Sequence, residues 1–125
     1  MISPARSLLL GAALLTVGCT SLADRYATGN KALSEKDGPM YFVVISPRLQ
    51  AALNECIPPG SKGASPMIVL VAEVDAAGMT HDLDVTPHSA GTDCVRERLT
   101  SKPLPRPPLA PGAERFPIGL KIETN

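Results

Sequence analysis

From Met67 to Val85 the apolar and polar positions follow two regimes separated by a turn. The run MIVLVAEV is apolar on both alternating sets, Ile68, Leu70, Ala72 and Val74 against Met67, Val69 and Val71, which predicts a central strand. After Asp75-Ala76-Ala77-Gly78 the stretch MTHDLDV alternates, with Met79, His81, Leu83 and Val85 opposite Thr80, Asp82 and Asp84, as a more exposed neighbour would. Asp at the first turn position and Gly at the fourth suit a type I turn followed by a left-handed residue. The two runs therefore read as an antiparallel β-hairpin in which Gly78 lets the chain reverse.

The remaining pattern places other elements around that pair. Met40 to Ile45, MYFVVI, is β-branched and apolar and predicts a strand or an extended entry segment. Ser46 suits a helix N-cap and Pro47 the first helical position, followed by one stripe of Leu49, Ala52, Leu53 and Cys56 and a stop at Pro58-Pro59-Gly60. Pro87 to Gly91 reads as loop, and Thr92 or Asp93 as the cap of a second helix that buries Val95 and Leu99 and ends before Pro103. Leu104 to Pro111, LPRPPLAP, is too rich in proline for a ladder strand and predicts a stiff polyproline II crossover over the surface. In the last element Phe116, Ile118, Leu120 and Ile122 alternate with Pro117, Gly119 and Lys121, and Pro117 argues for a sheet edge. The expected fold class is α+β, a small antiparallel sheet of three or four strands with two helices on one face.

Charge changes the picture by exclusion. The chain has 12 basic and 12 acidic residues, so it lacks the clustered cationic excess that neutralises phosphates, and with only 3% aromatic residues it lacks a base-stacking platform. Nucleic acid is not an expected partner.

The N-terminus points to export. Arg6 precedes the uncharged run Leu8 to Gly18, roughly 11 residues where a bilayer span needs ~20. The run closes on Leu15-Thr16-Val17-Gly18-Cys19, which resembles the lipobox of bacterial lipoproteins, with Thr16 standing where Leu is usual. The resemblance implies a signal at 1–18, removed before Cys19, and acylation of Cys19. Thr at position 20, rather than Asp, implies the outer membrane by the same resemblance. Residues 19–38 have no sustained apolar period and read as a flexible tether, leaving one domain at 39–125 that is small enough to gain from a covalent staple.

With Cys19 assigned to lipid, Cys56 and Cys94 remain as an even pair in an exported domain. A disulfide between them is one reading. The other is a redox thiol at Cys94, whose place in the first turn of a helix would lower its pKa.

Taken together, ALNEC, VLVAEVDAAGM, TDCVRERL, LPRPP and RFPIGLKIE, in that order and spacing between Ile45 and Glu123, resemble the C-terminal domains of the TonB, TolA and gliding-motility AgmX/PglI type. That resemblance implies a periplasmic interaction module rather than an enzyme, and a partner peptide added as a strand to the sheet. The chain departs from TonB and TolA in carrying a lipoprotein signal instead of a retained membrane helix and long spacer, so energy transduction does not carry over. Phe116, Ile118, Gly119, Leu120 and Lys121 are the candidate partner-binding edge, for an envelope protein. The alternative is a thiol-redox or small-ligand-binding lipoprotein.

No catalytic residue, metal site or cofactor is assigned. His81 and His88 have Asp82, Asp84 and Asp93 nearby, but neighbours on a strand point to opposite faces and cannot converge on one ion. GxSxG, HExxH and phosphate-cradling glycine loops do not occur in the sequence.

Overall fold

A computed structural model describes residues 20–61 and 65–124. The elements in chain order are α1 (Leu22–Ser34), α2 (Gly38–Cys56), β1 (Met67–Asp75), β2 (Thr80–Thr86), α3 (Ala90–Ser101) and β3 (Arg115–Glu123). The fold is α+β around one three-stranded antiparallel sheet of order β2-β1-β3, so β1 is central and β3 lies at an edge.

The hairpin forms as its turn chemistry dictates. Gly78 has φ +90° and its N–H donates to Asp75 C=O at 2.9 Å, while Asp75 Oδ1 accepts from Ala77 N–H at 2.9 Å and Met79 N–H at 3.0 Å. Glycine is needed there twice over, since a Cβ would also stand 2.0 Å from the Leu104 carbonyl of the crossover.

Ile68, Leu70, Ala72 and Val74 of β1, with Ile118 and Leu120 of β3, face α2 and α3 in the main core. Val71 points to the opposite face and is equally buried. That second cover is α1, which corrects the reading of 19–38 as a tether. Ser21 caps α1 by accepting from Asp24 N–H, and Gly29 brings the helix onto the backbone of Ile118 and Gly119. A Cβ on Gly29 would lie 2.2 to 2.5 Å from those backbone atoms, so a helix of ordinary composition docks through its smallest residue. Leu33 reaches the main core, and Lys121 Nζ stands 4.8 Å from the centre of the Tyr26 ring.

Three further expectations are corrected. Met40 to Ile45 is neither strand nor entry segment: α2 starts at Gly38, runs through Pro47, and buries Tyr41, Ile45, Leu49 and Ala52 at spacings of four, four and three. Ser46 is therefore interior, its Oγ donating to Phe42 C=O at 2.6 Å, and Pro47 costs the helix one N–H on an exposed side where water reaches the freed carbonyl. α3 is capped by Ser89, three residues before Thr92 and four before Asp93, the expected caps, because Ser89 and Thr92 form a reciprocal capping box. In β2 the alternation breaks at a bulge, where Asp82 has φ +52° and the register slips between Val71 and Glu73. His81 consequently pairs with Glu73 on the α1 face, while Val85 pairs with Leu70 on the core face.

The proline-rich crossover runs without helix or strand and is tied down by its carbonyls. Arg48 donates to Pro103 C=O at 2.7 Å, and the buried Tyr41 hydroxyl donates to Pro105 C=O at 2.8 Å. Burial pushes the Tyr41 phenol from an ordinary 10.0 up to about 12. The folded chain thus holds this proton where the unfolded chain releases it, so the contribution is whole below pH 10.0 and falls as pH rises toward about 12. Tyr41→Phe is expected to lose about 1 kcal/mol at neutral pH with its hydrogen bond, and to unfold less steeply with alkali. Denaturant midpoints from pH 8 upward check this; parallel curves for the two proteins would refute it.

Candidate functional site

β3 pairs with β1 from Arg115 to Glu123, and the ladder is extended by Thr124 N–H donating to Pro66 C=O at 3.1 Å. In an antiparallel pair the hydrogen-bonded positions alternate, so this bond sets the phase of the strand. Ile122, Leu120, Ile118 and Phe116 turn their N–H and C=O toward β1, while Glu123, Lys121, Gly119 and Pro117 turn theirs outward. Pro117 therefore occupies an outward position, where a missing N–H costs the sheet nothing.

The outward half of the ladder is not uniform along its length. At the start Pro117 has no donor, and the Gly119 carbonyl is approached by Asn30 Nδ2 at 3.5 Å. Further on, the outward groups of Lys121 and Glu123 have no hydrogen-bond partner among the described residues. Beside them lies a groove of about 260 Å³ between α2 and β3, with Phe42, Leu49, Leu53, Leu120 and Ile122 in its walls. A cleft of about 440 Å³ near Pro108 to Ala113 is larger, but it adjoins the blocked beginning of β3.

Of the five candidate edge residues, four are committed within the fold. Phe116 packs edge-on against Tyr41 with ring centres 5.3 Å apart, Ile118 and Leu120 are buried, and Gly119 receives α1, where its own Cβ would meet Tyr26 C=O at 2.5 Å. The close backbone approach read from Gly119 is real, and its occupant is this chain's own helix. Only Lys121 combines an exposed side chain with free outward backbone groups, and the open segment extends to Ile122 and Glu123. Phe42 was not legible as a site residue because Met40 to Ile45 resembles a strand, and Gln50, Leu53 and Glu123 were not because only the packing of α2 beside β3 brings them together. The spacing of Tyr41, Ile45, Leu49 and Ala52 is the signal that would have shown one continuous helix.

Cys56 ends α2 and Cys94 is the fifth residue of α3, one turn further in than expected because the helix starts at Ala90, and the two form a disulfide with Cα atoms 5.5 Å apart. Cys19 lies outside the described residues. The histidines sit in two separate pairs, His81 Nε2 at 2.8 Å from Asp75 Oδ2 and His88 Nε2 at 2.9 Å from Asp84 Oδ1. The bond from His81, reinforced by the turn N–H groups, holds the Asp75 carboxyl below the ordinary carboxylate range. Among the described residues no group of three or more His, Cys, Asp or Glu is placed to hold a metal ion, and no helix is long and apolar enough to cross a membrane.

Two properties suit the edge to binding. Its free donors and acceptors have the geometry to pair with an extended backbone, and the neighbouring groove is apolar enough to take an apolar side chain. α2 adds exposed apolar surface alongside, with Met40 at 68% and Val43 at 63% exposure and no charged residue between Gly38 and Pro47. No family model, curated protein or solved structure matches the chain.

Proposed function

We propose that this protein is an interaction module of the cell envelope, anchored by acylated Cys19 on the periplasmic face of the outer membrane. It takes up an extended segment of another envelope protein as a fourth strand beside β3. The observation that carries the reading is the unpaired outward backbone at Lys121 and Glu123 next to the apolar groove under Phe42 and Leu53. A segment added there gains main-chain hydrogen bonds irrespective of its sequence, and places alternate side chains in the groove. The element order from α2 to β3 is also the one that the resemblance to TonB/TolA-type domains implies, which supports carrying over their edge-strand mode.

The experiment is crosslinking in intact cells, with captured protein identified by mass. Lys121→Pro removes an outward donor and places a ring in the path of the incoming strand, yet leaves the bonds to β1, which belong to Leu120 and Ile122. Capture is expected to fall about ten-fold or more, since one lost backbone bond is worth about 1 kcal/mol before the clash is counted. Cys19→Ser is the unanchored control and is expected to leave the membrane fraction. A folded Lys121→Pro chain that captures the same partner at the wild-type yield would place the binding surface elsewhere.

A further inference from the structure

We infer that the same edge also pairs with itself: β3 of one chain adds antiparallel to β3 of a second copy, about a two-fold axis through Ile122. This rests on the open-edge reading above and names one partner for it.

The argument comes from which residues are left outward and what charges they carry. On the β3 edge, Lys121 and Glu123 keep both outward backbone groups without a partner among the described residues, and their exposed side chains, two residues apart, lie on the same face of the sheet. With the axis at Ile122, Lys121 stands directly opposite Glu123 of the second copy, and Glu123 opposite Lys121 of the second copy. Each of these two pairs exchanges both N–H···O bonds. Ile122 then meets its own copy on the other face, at the mouth of the groove lined by Phe42 and Leu53.

Neighbouring registers in the same hydrogen-bonding phase fail. An axis at Lys121 sets Lys121 against Lys121 and calls on Gly119, whose carbonyl Asn30 already approaches. An axis at Glu123 sets Glu123 against Glu123. Like charges directly opposite destabilise a strand pair whereas opposite charges stabilise it, so the sequence Lys-Ile-Glu selects one self-complementary register. A self-complementary patch on a two-fold axis is what a closed dimer requires.

The test uses the full chain in detergent, at concentrations where crosslinking is partial. In Ile122→Cys, two copies of one residue face each other at about 4.5 Å between Cα atoms, within disulfide range, and mild oxidation is expected to give a covalent dimer on a non-reducing gel. Adding Lys121→Glu or Glu123→Lys puts like charges opposite each other at both symmetric positions and is expected to cut the yield about ten-fold. Combining both reversals restores opposite charges and is expected to restore the dimer. Mixed Lys121→Cys and Glu123→Cys chains, which leave Ile122 in place, are expected to crosslink to each other rather than to themselves. Equal yields from the single and double reversals, or a yield at Val44→Cys on the outer side of α2 matching that at Ile122→Cys, would overturn the dimer. If crosslinking is absent while Lys121→Pro still abolishes partner capture, self-pairing fails and the proposed function stands; if Lys121→Pro has no effect on either, both fail.

Discussion

Gly29→Ala is expected to destabilise the protein by about 2 kcal/mol and to release α1 from the sheet. Helix propensity alone points the other way, because alanine is better than glycine in a helix interior by about 1 kcal/mol. Contact geometry decides the sign. The added Cβ would sit 2.2 Å from the Ile118 carbonyl carbon and 2.3 Å from the Gly119 nitrogen, which are ladder backbone and not the tip of a mobile side chain. Overpacking of this kind costs about 1 to 3 kcal/mol, and here relief requires lifting the helix and exposing Val71. Thermal unfolding together with amide exchange over 22–34 measures it. A variant more stable by about 1 kcal/mol would mean that α1 does not dock and that the segment is a tether after all. Gly119→Ala meets Tyr26 C=O at 2.5 Å and belongs to the same contact, so the double variant is expected to lose little more than either single one.

Cys94→Ser is expected to cost more, about 3 to 4 kcal/mol on the chain-entropy account, for a bridge whose cysteines are 38 residues apart. That is a large share of the stability of so small a domain. What still joins α2 to α3 afterwards is the shared core of Leu49, Ala52, Val95 and Leu99, the Arg48 bond to Lys102 C=O at 3.3 Å and the exposed Arg98–Glu55 ion pair at 2.7 Å. Exposed pairs of this sort contribute less than about 1 kcal/mol. Denaturant midpoints with and without reductant should therefore separate in the wild type and coincide in the variant. Alkylation before reduction is expected to label neither Cys56 nor Cys94. Label at Cys94 in protein taken from the envelope would revive the redox-thiol reading.

Residues whose conformation is set by close neighbours were legible. Asp75 and Gly78 specify their turn by hydrogen bonds within five residues, and the alternation of Phe116 to Ile122 specifies a strand whichever neighbour it acquires. Both apolar faces of β1 were also legible, but not the identity of their covers. α1 escaped because its decisive contact residue is Gly29, which a periodicity argument counts as a break, although Ser21 and Asp24 were present as start signals. His81 was assigned to the wrong face because alternation assumes an unbroken ladder, and the bulge at Asp82 is a property of the pairing with β1.

For the candidate site the division is sharper. By itself the sequence determined that β3 is an amphipathic strand with Pro117 suited to an edge, and that Cys56 and Cys94 were available to pair. Which half of that edge is open was decided by tertiary structure, because it depends on two relations between distant segments. The register with β1 turns the even-numbered groups inward and leaves Lys121 and Glu123 outward. The docking of α1 then occupies Gly119 from the far end of the chain, while α2, continuous through Pro47, builds the groove beside what remains. Hydrogen-bond phase and helix placement are properties of pairs of elements, and a pattern read along one element carries neither.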